Sequence, residues 1–211
     1  MIHVFVESNW VVDVCVPSFR RSRDALTLLD RAARGEVMIH VPHIALREAQ
    51  SAILRKYQPK EHRVLQQFRK WAKDQREIDE QTSLAANQFL AKFSDLVTTE
   101  LARLDQRISE VQNSSGLEVF ALNDAMLDRS ISMRTEVPDP QLKPFDETIL
   151  AAVLVRACEL PSDRRRLFCT LDFDLSPVVR NNNRKHLKTV YDQAKVEVRT
   201  SFDLSDLLPE N

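Results

Sequence analysis

The sequence predicts an α/β sandwich in one domain, and three observations carry that expectation. Short apolar runs with strand character alternate with segments of helical periodicity from the first residues onward. The 211 residues, 43% of them hydrophobic, are ample for a single well-buried core. A charged segment poor in Gly and Pro, residues 59–135, separates two such alternating halves, and it is expected to be a helical insertion within the one domain 1–211.

Ile2 to Val6 reads as a buried strand, followed after Pro17 by a helix with Ala25, Leu28, Leu29 and Ala32 at helical spacing, which Gly35 ends. Glu36 to Val41 is strand-like. Pro42 then opens a second helix through His43, Ile44, Leu46, Ala49, Ile53 and Leu54. In the charged segment, Phe89, Phe93, Val97, Leu101, Leu104, Ile108 and Val111 share one helical stripe, so long packed helices are expected, broken near Asn113 to Gly116. That stripe serves either as intrachain core or as the seam of a homodimer. Beyond Pro138, Pro140 and Pro144 the alternation returns: a helix Phe145 to Glu159, a strand Leu167 to Leu171, a turn Asp172 to Pro177, a strand Val196 to Val198, and a small helix Asp203 to Leu208.

Composition removes several function classes. With two glycines, Gly35 and Gly116, no glycine-rich phosphate loop or serine-hydrolase elbow can form. The five histidines form no metal-binding pair on a helix face, and His40 and His43, astride Pro42, are expected to be structural. Cys15, Cys158 and Cys169 lack metal-type spacing and suit reduced thiols. The longest clean apolar run, Ile149 to Val155, is far short of a membrane span, and the stretch before Glu7 is too short for a signal peptide, so a soluble cytoplasmic protein without membrane association is expected. Thirty basic residues against 31 acidic ones give a net charge of -1, so any nucleic-acid binding must come from local patches.

Acids at the ends of apolar elements remain. Glu7 and Asp172 each follow an apolar strand, Asp146 lies in the first turn of a helix, and Glu48 sits about a turn and a half into the helix after strand two. Ligands of open parallel sheets collect at the carboxyl ends of the strands. Carboxylates gathered there repel one another unless cations neutralise them, and hard cations such as magnesium or manganese bind through carboxylates and support phosphodiester hydrolysis. Each acid also has a local role open to it. Asp146 and Glu147 can complement a helix dipole, Asp172 and Asp174 can serve the turn before Ser176-Pro177, and Glu48 can be a solvated helix residue. Glu7 is harder to assign locally, because a charge ending a buried strand costs free energy unless something binds it.

Taken in order, these segments resemble the PIN domain, a metal-dependent nuclease fold. Val4-Phe5-Val6-Glu7-Ser8-Asn9 is similar to its opening strand, acid and polar pair, with Glu7 where the family carries Asp. Val41-Pro42-His43-Ile44-Ala45-Leu46-Arg47-Glu48, Asp146-Glu147-Thr148-Ile149-Leu150-Ala151-Ala152 and Phe168-Cys169-Thr170-Leu171-Asp172-Phe173-Asp174 resemble the segments that carry its later acids. The resemblance covers roughly residues 1–58 and 142–208, and the helical segment is longer than in compact toxin-type members.

The resemblance implies a three-layer α/β/α sandwich with a central, mostly parallel sheet and an elongated helical insertion. It also implies an endoribonuclease that hydrolyses RNA through metal-activated water. Glu7, Asp146 and Asp172 would be the principal metal ligands, Glu48 and Asp174 would complete the catalytic cluster, and Ser8, Asn9 and Thr170 would hold the carboxylates in place. Magnesium or manganese would be the cofactor and RNA the substrate. Arg20, Arg21 and Arg23 after strand one, and Arg180, Arg184, Lys185 and Lys188 after Asp172, would grip phosphates. An antitoxin or other protein partner is a variant of this reading. The alternatives are a catalytically weak module that binds RNA or protein, and a structure-specific DNA nuclease.

Overall fold

Val4, Phe5 and Val6 are wholly buried, as a strand flanked on both sides in a covered sheet must be. The computed structural model describes residues 1–57, 67, 70–71, 80–138, 142–179 and 182–208. Its central sheet has five strands, β1 (Ile2–Val6), β2 (Val37–Pro42), β3 (Leu117–Phe120), β4 (Arg165–Cys169) and, after a two-stranded ribbon of β5 (Val178–Val179) and β6 (Asn182–Asn183), β7 (Val196–Arg199). The spatial order is β3-β2-β1-β4-β7, and each pairing is parallel.

Helices cover both faces, giving the expected three-layer α/β/α sandwich. One layer holds α1 (Ser8–Cys15), α2 (Arg23–Ala33), α3 (His43–Tyr57), α4 (Glu80–Ala102) and α5 (Leu104–Gln112), with α1 packed on α2, α3 and α5. The other holds α6 (Asp124–Glu136), α7 (Pro144–Glu159) and α8 (Lys185–Ala194), with α7 between its neighbours. Helix ends are set by residues legible in sequence: Ser22 caps α2 at Ala25 N, Asn123 caps α6 at Met126 N, and Pro144 opens α7. Among the described residues no helix is long and apolar enough to cross a membrane.

The chain builds outward from β1 to β2 and β3, then returns past β1 to lay down β4 and β7 on the other side. The connections on the two sides of β1 leave the sheet on opposite faces. A crevice therefore opens between the carboxyl ends of β1 and β4, the switch point at which open α/β sheets bind ligands.

The segment 59–135 departs from the expected helical insertion. Its last part returns to the body of the domain: β3 is an edge strand of the central sheet, and α6 packs along α7. Gly116 makes this return feasible. It has φ +73°, and a Cβ there would lie 2.1 Å from the Ala32 carbonyl oxygen, while its own carbonyl accepts from Ile39 N at 2.8 Å. The expected stripe bends at Arg103, where α4 gives way to α5. Val97, Leu104, Ile108 and Val111 enter the core, whereas Phe89 is 67% exposed. Much of 59–79 lies outside the described residues.

Two helices, α1 and α8, were not anticipated, and Asp203 to Leu208 forms a hydrogen-bonded turn, Leu207 N and Leu208 N both donating to the Leu204 carbonyl, in place of a small helix. His40 is structural as expected. It stacks on Phe5 and His3, its Nε2 pairs with His3 Nδ1 at 2.8 Å, and its Nδ1 lies 2.8 Å from Glu118 Oε2. Burial lowers its pKa to about 4, so the ring is neutral. All three cysteines are free, and burial pushes Cys15 up to about 11 and Cys169 to about 12, which leaves both as protonated thiols.

Candidate metal centre

The carboxyl ends of β1 and β4, with the first turn of α7 and the body of α3, bring the acidic segments to one crevice. Asp146 enters from α7, whose apolar face (Ile149, Leu150, Val153, Leu154, Ala157) is buried and so fixes the helix axis. Asp172 and Asp174 come from the turn after β4. Asp172 Oδ1 accepts from Asp174 N at 2.7 Å, so the carboxylate folds the chain into the single helical turn Phe173–Leu175. Tyr191 of α8 fastens that turn from below, its hydroxyl donating to the Leu175 carbonyl at 2.8 Å.

Asp146, Asp172 and Asp174 each offer a carboxylate oxygen within 4.8 Å of the other two. Asp146 is 8% exposed, and its Oδ2 is buried with no hydrogen-bond partner among the described residues. Burial first, and the Asp172 charge second, raise its pKa to about 6, with Glu48 and Asp174 adding to the rise and Lys143 opposing it. Glu48 likewise has a buried oxygen, Oε2, without a partner among the described residues. Two orphaned carboxylate oxygens beside a converging triad form an oxygen-only donor set, the kind that suits a hard divalent cation.

Glu7 is placed differently. It is 2% exposed and caps α1: Oε2 accepts from Asn9 N at 2.6 Å and Ser8 Oγ at 3.1 Å. Its other oxygen, Oε1, accepts from Thr170 Oγ1 at 3.3 Å and Leu171 N at 3.4 Å. Thr170 Oγ1 in turn accepts from Asp172 N at 3.0 Å. Burial raises the Glu7 pKa and the donors around it pull it back. Ser8, Asn9 and Thr170 thus hold one carboxylate, that of Glu7, and Thr170 connects it to the backbone of Asp172. The triad that converges is completed by Asp174, while Glu7 joins the ends of β1 and β4 beside it.

The basic residues are dispersed. Arg20, Arg21 and Arg23 do not follow β1 directly, because α1, a helix about 12 Å long, intervenes before they appear. Arg184 lies at the crevice but donates to the carbonyls of Phe173, at 2.6 Å, and Asp174, at 3.1 Å, and so braces the turn that presents the acids. Lys185 and Lys188 are exposed on α8, and Arg180 lies outside the described residues. Sequence reasoning missed Lys143, whose Nζ is 3.4 Å from Asp174 Oδ2 at the entrance. Its position immediately before Pro144, at the start of the helix that carries Asp146, was the available signal.

No family model matches the chain, and no curated protein or solved structure matches it either.

Proposed function

We propose that this protein is a metal-dependent endoribonuclease of the PIN-domain type, with magnesium or manganese held by Asp146, Asp172 and Asp174 and approached by Glu48. The observation that carries the reading is the meeting of Asp146 with Asp172 and Asp174 at the switch point of a parallel sheet, with an unpartnered buried oxygen on Asp146. A bound divalent cation would supply a water activated for attack at neutral pH and charge stabilisation for the phosphodiester oxygens. The chain's own residues orient the acids. The Asp172–Asp174 turn sets two carboxylates side by side, the Glu7–Thr170 link fixes where that turn leaves β4, and Arg184 and Tyr191 hold its carbonyls. Lys143, at the mouth and paired with Asp174, is placed to meet a phosphate once a cation takes over that carboxylate.

The test is cleavage of an unstructured single-stranded RNA with manganese or magnesium. Wild type cleaves and Asp146→Asn does not, chelator abolishes the activity, and a junction DNA is a poorer substrate. An inert wild-type chain at millimolar metal rejects the reading. It would favour a non-catalytic RNA- or protein-binding module, for which the Lys143–Asp174 pair already supplies part of the neutralising charge.

A further inference from the structure

On the face away from α7, the hollow between α1, the turn Ser18–Arg20, α3 and α4 encloses about 400 Å³. Its floor is aliphatic, from α1 and the residue after it, and its walls carry Phe19, Tyr57 and Phe93, with Arg20 and Lys56 at the edge and Asp13 beside Lys56. The rings form a graded series. Phe19 is 44% exposed and tilts 54° against Phe93 at 6.0 Å, and Phe93 is stacked with the exposed Phe89 at 6.4 Å. Lys56 Nζ stands 5.5 Å above the centre of the Tyr57 ring. Large exposed aromatics flanked by cations are unusual on a surface that only meets water. Lys56 lies eight residues beyond Glu48 on α3, about 12 Å along the helix axis, so one extended strand can reach both the hollow and the acidic crevice.

We propose that this hollow is a stacking platform for a single-stranded nucleic acid: a base lies on Phe19, and the phosphates on either side of it meet Arg20 and Lys56. Planar bases recognise ring faces, and a polyanion complements the two cations Arg20 and Lys56. The choice of RNA over DNA rests on the nuclease reading, and the platform itself does not.

The experiment is fluorescence anisotropy of the full chain with a labelled 12-nucleotide single-stranded RNA in chelator, so that binding is read without cleavage. Phe19→Ala is expected to weaken binding roughly 5- to 100-fold, Phe19→Trp to preserve it, and Ile131→Ala, exposed on α6, to leave it unchanged. Arg20→Gln and Lys56→Gln should each lower the slope of log affinity against log salt by about 0.7. A duplex of the same sequence should bind more weakly. Phe19→Ala binding within twofold of wild type, or equal affinity for duplex and single strand, overturns the platform. Loss of cleavage with this binding intact defeats the nuclease reading alone. Cleavage with Phe19 irrelevant to RNA affinity defeats the platform alone and points to a protein partner in the hollow.

Discussion

The hydroxyl of Thr170 donates to Glu7 Oε1 across 3.3 Å, joining residues 163 positions apart at the ends of β1 and β4. Thr170 Oγ1 itself accepts from Asp172 N, so one side chain sets both the buried carboxylate and the start of the acidic turn. Thr170→Val keeps the shape and removes both hydrogen bonds. It is expected to destabilise the protein by roughly 1–3 kcal/mol, as leaving buried polar groups unpaired does. It should also lower metal-dependent cleavage by displacing Asp172. Urea unfolding and a cleavage assay on the same preparation check both.

Asp146 should trade stability for function. Its folded pKa, about 6, lies above the usual carboxylate range, so the folded state holds its proton more tightly than the unfolded chain does. Stability contributed by the neutral form is therefore present at low pH and is lost as pH rises through about 6. Asp146→Asn removes this penalty, discounted for solvent screening to roughly 1 kcal/mol, and should raise Tm by about 2–4 °C at pH 7.5. The gain should vanish near pH 4. Saturating manganese should stabilise wild type more than the variant in the same thermal scans.

His40 acts in the opposite sense. Its pKa is lowered to about 4 by burial first, with Glu118 raising it and His3 and Arg156 lowering it further, so the unfolded chain takes up the proton first. Stability present above about pH 6.5 is lost as pH falls toward 4. His40→Gln should flatten that acid limb, as read by unfolding free energy measured at half-unit pH steps.

Gly116→Ala should be the most damaging conservative substitution in the helical layer. The residue would need positive φ, and its Cβ would meet the Ala32 carbonyl. The expected cost is more than about 1 kcal/mol from conformation alone, with the clash added. It should appear first as faster hydrogen exchange in β3 and at Ile39 N.

The parts of the fold legible in sequence are those with unbroken local patterns. Val4-Phe5-Val6 and the apolar run Ile149 to Val155 lie in a covered sheet and against it, so each reads as a continuous apolar stretch. Helix α1 escaped because Trp10, Val11, Val14 and Cys15 are buried on a segment of only eight residues with little polar face to reveal a period. Strand β3 escaped because it has four residues, one of them Glu118, whose charge is answered by Arg156 of α7 while the neutral His40 ring lies beside it. Helix α8 was readable: Leu187, Val190, Tyr191 and Ala194 recur at helical spacing, behind an asparagine run that resembles a turn. At the site, the sequence marked the acids but not their partition. Local spacing cannot show that Glu7 finds donors just beyond β4, at Thr170 and Leu171, while Asp174 folds back toward Asp146.

The central claim is that Asp146, Asp172 and Asp174 form a divalent-cation site. Crystals soaked in millimolar manganese test it directly. An anomalous peak is expected bounded by these three carboxylates, at about 2.0–2.3 Å from at least two of them, with Glu48 close by. Crystals of equal quality without density there, or with the ion elsewhere on the chain, would contradict it.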